Sequence, residues 1–255
     1  MRFGIMDESY HLEEGVLGEN MVVFPAEHIC RGCEISFTKE EIHLSMPLPT
    51  SRDDIFFFYD FINRICKKVH TQKFIRNHEI LSLDKISCCI EWDIQASCTA
   101  IVQMEKNLAE NQYESLYIFG AMYPIALGLC EMKKISGDVI KFGELMHSLQ
   151  SMDIYYAKAK VYERQDKGYF GVYVLTEDIP TVLPYKPKLL MIEHSFEVQD
   201  WNIGFVVNNE VKGFISYSNF LDSIGECAKY DAEHFIVTMS SDKMNILIRQ
   251  YKIDL

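Results

Sequence analysis

The strongest constraint on this chain is a change of hydrophobic period near residue 152. Before it, apolar side chains recur at the three- and four-residue spacing of helices. After it, Tyr- and Val-rich runs are divided by short polar breaks. Helices segregated from strands predict an α+β fold, with a helix-rich N-terminal part and antiparallel β-hairpins in the C-terminal part, rather than a βαβ sheet. The expected organisation is a helix-rich subdomain over 1–151 that opens with a hairpin and a β-rich subdomain over 152–255, together forming one compact unit.

Particular elements follow from local rules. CEISFTKEEIHLSM alternates around Thr38–Glu40, which predicts a hairpin with Ile35 and Phe37 on one strand and Ile42, Leu44 and Met46 on the next. Thr50 or Ser51 caps a helix running to about Val69, with Asp53 and Asp54 complementing the dipole in its first turn. A second helix over about Glu91–Ala109 is read from Trp92, Ala96, Thr99 or Ala100, Gln103 and Met104, which recur at helical spacing. A strand over Leu116–Ala121 ends at Pro124, and a third helix covers about Asp138–Ser151. Tyr123-Pro124 is a candidate cis bond. Further on, Gln165–Gly168 and Asn208–Glu210 read as hairpin turns, and Ser218 caps a short helix. His234–Ser240 and Met244–Lys252 read as a third hairpin, with a helix from Asp242 as the alternative.

Composition narrows the function classes. With 255 residues, 48% of them apolar, the chain can build an ordinary core. Its 25 basic and 37 acidic side chains give a net charge of −12, which argues against general nucleic-acid binding because counterion release needs clustered cations. The charge is uneven. Residues 61–78, FINRICKKVHTQKFIRNH, hold Arg64, Lys67, Lys68, Lys73 and Arg76 and no acid. The N-terminal MRFGIMDESYHLEEG has no export-signal pattern. The longest uncharged stretch, Ser115–Cys130, is too short to span a bilayer, so no membrane association is expected. The eight cysteines read as reduced thiols in a cytosol.

Strong enzyme signatures are absent. There is no GxxxxGK[ST], no GxGxxG and no GxSxG, and His78-Glu79 lacks the second zincin histidine. Four local features remain. Cys30-Arg31-Gly32-Cys33 has the spacing of half a zinc site, with His28 and His43 near in sequence; no cofactor is required, and structural zinc is the exception this motif would allow. His147 and Gln150 share a helix face, with Asp153 and Tyr155 just beyond, and can contact a polar ligand or partner. Lys67, Lys68, Lys73 and Arg76 form a basic surface for an anion or a partner; the bland reading is a helix end whose cations complement its dipole. Tyr155, Tyr156, Tyr162, Tyr169 and Tyr173 suit cross-strand pairing, or an interface if one face is open.

The stretch HSLQSMDIYYAKAKVY followed by GVYVLTEDIPTVLPYKPK, residues 147–188, resembles small cytosolic proteins of Gram-positive bacteria in an uncharacterised family. The resemblance implies a bacterial cytoplasmic protein and carries no catalytic residues. The leading expectation is a non-catalytic binding protein with a protein partner, in its most specific form an immunity- or antitoxin-like protein that neutralises a basic effector by charge steering. The alternative is a small-molecule hydrolase or transferase whose His, Cys and carboxylate groups are assembled by the fold.

Overall fold

Caps decide where the helices begin. In a computed structural model, which describes residues 16–17, 22–37, 41–164, 168–189 and 197–253, the Ser51 side chain accepts from the Asp54 amide at 3.0 Å and starts α1 (Arg52–Lys68). Asp138 accepts from the Ile140 amide at 2.8 Å and starts α4, Val139–Gln150. Two compact units make up the chain, Met1–Met152 and Asp153–Leu255. The protein is a mixed α+β chain.

The first unit opens with an antiparallel meander of β1 (Val16–Leu17), β2 (Val22–Phe24), β3 (Cys33–Phe37) and β4 (Ile42–Ser45), paired in chain order. The β3–β4 register sets Ile35 opposite Leu44, as the alternation predicts; residues 38–40 lie outside the described residues. After α1 come β5 (Lys73–Arg76) and β6 (Glu79–Ser82), then a single 3-10 turn into α2 (Ile86–Ala109). The unit continues through β7 (Leu116–Phe119), β8 (Pro124–Leu127) and α3 (Leu129–Ile135) to α4. The breadth of apolar surface on α1 has a clear use. Phe57, Phe61 and Ile65 pack with Val23, Cys33 and Ile35 of the meander. Ile55, Tyr59, Ile62 and Cys66 pack on the opposite side with Cys89 of α2.

Two features of this unit differ from the sequence reading. The cis peptide bond lies at Leu48-Pro49, not at Tyr123-Pro124. The inner stripe of α2 is Cys89, Asp93, Ser97, Ile101 and Leu108, while Trp92 is exposed. The helical spacing does not mark that face because Asp93 is paid for by hydrogen-bonding partners that only the fold supplies.

The second unit holds β9 (Tyr155–Tyr156), β10 (Lys160–Glu163), β11 (Tyr169–Thr176), β12 (Thr181–Pro184), β13 (Val198–Val207), β14 (Glu210–Ser216), α5 (Tyr217–Ser223), β15 (Ala228–Lys229), β16 (His234–Val237) and α6 (Ser241–Tyr251). One sheet has the order β10-β11-β13-β14 and another β15-β16-β12-β9. The antiparallel pairings β10–β11 and β13–β14 are present; residues 165–167, within the turn expected for the first, lie outside the described residues. The β13–β14 pair turns at Asn208 and Asn209, with φ of 52° and 60°, the left-handed pair of a type I′ turn. The strands are not all antiparallel, however. β11 pairs with β13 in parallel, and so does β9 with β12. Helix α6 takes the place of the third hairpin, started by Ser240, whose side chain accepts from the Lys243 amide. Tyr173, Leu175, Ile203, Phe205, Ile215 and Phe220 lie at the centre of this unit's core.

Candidate functional site

The Cys30–Cys33 segment is held from three directions. Asp54, in the first turn of α1 and buried, accepts on Oδ2 from the amides of Arg31 (2.8 Å) and Gly32 (3.1 Å) and from the Thr50 hydroxyl (2.5 Å). At the C-terminal end of α4, the Gln150 side chain donates to the Cys30 carbonyl at 2.6 Å and accepts from the Met122 amide at 2.8 Å. The His147 Nδ1 accepts from the Ile29 amide at 3.1 Å. Arg31 donates from Nε to the Phe119 carbonyl and from Nη1 to the Pro49 carbonyl, each at 3.0 Å. Gly32 has φ +68°, and a Cβ there would stand 2.6 Å from the Val23 carbonyl oxygen, so the turn requires glycine.

This network defines what the motif can do. Burial, then the Asp54 charge, pushes both thiols up, Cys33 to about 12, so they stay protonated near neutrality and are weak nucleophiles. His28 is exposed, with its ring 6.1 Å from that of His147 and Nδ1 3.8 Å from Asp53. His43 is exposed on β4 beside Glu41 at 3.0 Å. Among the described residues no group of three or more His, Cys, Asp or Glu side chains is placed to hold a metal ion. His147 and Gln150 are brought together with the Cys30 loop as its clamp. Asp153 and Tyr155 belong to the second unit.

The basic segment divides in two. Arg76 points inward from β5, donates to Asp93 Oδ1 at 2.6 Å and stacks 5.6 Å from the Trp92 ring centre. The same carboxylate accepts the Tyr59 hydroxyl on Oδ2 at 2.5 Å. Burial and the Asp93 carboxylate push the Tyr59 hydroxyl well above its ordinary value, so it remains a donor. Arg76 is therefore a structural cation that fastens β5 to α2. Replacing it with Met should cost about 2 kcal/mol by stranding the Asp93 carboxylate, a loss a urea titration would resolve. Lys67, Lys68 and Lys73 are exposed instead. Beside Lys73 on β5, Ile75 stands opposite Ile80 of β6, and these side chains are 67% and 71% exposed. Phe74 and Leu81, on the opposite face, pack into the α1–α2 core.

A cluster that the sequence reading did not nominate lies in the second unit. Asp231, His234 and Tyr156 are all buried. Asp231 Oδ1 accepts from His234 Nδ1 at 2.8 Å and from the amides of Glu233 (2.9 Å) and His234 (2.8 Å). Burial raises the Tyr156 hydroxyl strongly, so it keeps its proton and donates to His234 Nε2 at 3.2 Å. An Asp and a His three residues apart were visible in sequence; the tyrosine, 78 residues away, was not.

These three clusters give no reaction by themselves, and the comparisons add a family. The chain belongs to the family described as a domain of unknown function (DUF4299), matched over residues 1–247. No curated protein and no solved structure matches it. Membership in DUF4299 covers both units and assigns no activity, so the chemistry of the family member described here rests on its own residues. Among the described residues no helix is long and apolar enough to cross a membrane. Of the tyrosines read as a strand-pairing set, Tyr156 and Tyr173 are buried. Tyr162 is exposed and stacks on Phe170 with ring centres 5.4 Å apart.

Proposed function

We propose that this protein is a non-catalytic binding protein of a bacterial cytosol, and that it docks a protein partner on the outward face of the β5–β6 hairpin. The observation that carries the reading is the Ile75–Ile80 pair. Two β-branched side chains, each more than two-thirds exposed, lie directly opposite on strands whose other face is anchored in the core. Exposed single apolar residues are ordinary. A fixed cross-strand pair beside exposed lysines is the composition of an interface centre with a charged rim. An immunity- or antitoxin-like role is one form of this reading. The local charge then favours an effector that is acidic where it docks, although the whole chain is acidic.

The hydrolase or transferase alternative draws on Asp231, His234 and Tyr156, the best acid–base geometry among the described residues. All three are under 5% exposed, and their bonds are spent on one another and on the turn before β16, which favours a structural role. The test is association with a partner copurified from the source cells and then purified itself. Ile75→Asp with Ile80→Asp should weaken binding by about 100-fold, the scale of two truncated contacts at an interface centre. Lys67, Lys68 and Lys73 all changed to Glu should abolish it. Unchanged affinity in either folded variant overturns the reading.

A further inference from the structure

The segment between β2 and the CxxC turn hangs on a histidine that can accept its backbone only while unprotonated. We infer that residues 25–29 form a strap, latched to α4 through His147 at neutral pH and let go when that ring takes a proton. The decisive contact is the bond in which His147 Nδ1 accepts from the Ile29 amide at 3.1 Å. A backbone N–H only donates, so Nδ1 carries no proton in this arrangement, and the neutral ring holds its hydrogen on Nε2. A second proton has only Nδ1 to go to, where two N–H groups would then face each other. Protonation and the latch therefore exclude one another. Three other histidines are built differently. His28 lies near Asp53, His43 near Glu41 and His234 against Asp231, each beside a carboxylate that suits a protonated ring. Among the described residues no carboxylate lies within ion-pair distance of His147.

The neighbourhood makes the release local. The strap has little else to hold it. Its His28 amide donates back to the Pro25 carbonyl at 3.3 Å, His28 Nδ1 stands 3.8 Å from Asp53 of α1, and residues 26–28 are exposed. The CxxC turn that follows is held by bonds that survive acid. Gln150, three residues beyond His147 on the same helix face, does not titrate and donates to the Cys30 carbonyl at 2.6 Å. That carbonyl also accepts from the Ala121 amide at 2.9 Å. Asp54 does titrate, but its three bonds all fall on Oδ2, so a proton on Oδ1 leaves them in place. The charges nearby act on the latch in definite directions. The His28 ring centre is 6.1 Å from that of His147, so a charge on both rings adds repulsion across the strap. Asp53 offsets part of that by attracting a charged His28. Arg31 is committed to the Phe119 and Pro49 carbonyls, and Glu144 is exposed one turn back on α4. Of the helices packed on α4, α1 brings Asp53 and Asp54 to this loop; among the described residues α2 and α3 bring no carboxylate within ion-pair distance of His147.

The experiment is nuclear magnetic resonance on the full chain labelled with nitrogen-15, taken from about pH 8 down to about pH 5, the range over which histidines change charge. At the upper end the ring nitrogens of His147 should show the Nε2–H tautomer. On acidification the Ile29 amide should shift with the same midpoint as the His147 ring. Its protection, corrected for the intrinsic pH dependence of exchange, should fall about tenfold, the scale of one hydrogen bond. The Arg31 and Gly32 amides should keep theirs. His147→Asn offers an amide oxygen in place of Nδ1 and no site for the proton, so Ile29 should stay protected and its protection should be flat with pH. His147→Phe, which cannot accept, should leave Ile29 unprotected throughout, and it serves as the second variant where the shorter Asn does not reach the amide. In both variants the acid step at Ile29 must vanish, and in Asp54→Asn it must remain. A step that survives both His147 variants would overturn the inference, as would one removed by His28→Gln or by Asp54→Asn. So would an Nδ1–H tautomer at the upper pH, or loss of Arg31 and Gly32 protection in step with Ile29.

Discussion

Asp54→Ala should destabilise the first unit by about 3 kcal/mol, among the larger effects of any single substitution in the chain. The carboxylate takes two backbone amides and a hydroxyl on one oxygen, and each donor left buried without a partner costs about 1–3 kcal/mol. The chain has two tryptophans, Trp92 in the first unit and Trp201 in the second, so urea unfolding in a Trp201→Phe background reports the first unit alone. Asp54→Asn is the informative companion. An amide oxygen can accept the same three bonds, so the loss should be under about 1.5 kcal/mol. A substitution to Ala that costs no more than Asn would show that the bonds do not hold the Cys30 loop.

The pair also makes a pH prediction. Burial pushes the Asp54 carboxyl above its ordinary 3.8, while the Thr50 hydroxyl and the Arg31 and Gly32 amides pull it back. A carboxyl raised in the folded state binds its proton more tightly there than in the unfolded chain. Its contribution is therefore fully present below 3.8 and declines as pH rises through the folded value. The stability of Asp54→Asn relative to the natural protein should rise over that window and level off above it. A difference that stays flat with pH would remove the burial argument.

Asp231→Ala should cost the second unit about 3 kcal/mol by the same reasoning, because it strands two amides and the His234 Nδ1–H in a buried turn. Tyr156→Phe removes one hydrogen bond of that cluster and should cost only about 1 kcal/mol. Trp201 fluorescence in a Trp92→Phe background follows both. If Tyr156→Phe were as damaging as Asp231→Ala, the tyrosine would be the keystone and the order proposed here wrong. The ranking bears on function as well, since a carboxylate that accepts two backbone amides of the turn before β16 as well as the imidazole is placed to hold β16.

Much of the local structure was legible without coordinates. Ser51 starts α1 because its hydroxyl and the two aspartates that follow are the chemistry of a helix N-terminus. Asn208 and Asn209 make a hairpin because they tolerate left-handed backbone. The acid-free stretch 61–78 marked the surface on which the binding proposal now stands, but not that Arg76 is committed to Asp93 while Lys67 and Lys73 remain exposed. The CxxC motif marks a loop whose organisation its spacing does not reveal. Its thiols are buried and protonated, and the residue that organises the loop is Asp54, read in sequence only as a dipole partner for α1.

Sequence by itself determined the α+β class, the starts of α1 and α4, the turn at Asn208 and the polarised charge, because capping, turn geometry and hydrophobic period act over a few residues; α5 starts at Ser216 rather than Ser218, and α2 at Ile86 rather than about Glu91. Tertiary structure alone decided the parallel pairing of β11 with β13, which no tight turn announces. It also decided the burial of Asp93 in a helix face that looks polar, and the joining of Tyr156 to His234. A buried polar group is tolerated only where a distant partner meets it, and the pairing of distant residues is a property of the packed chain, not of any segment within it.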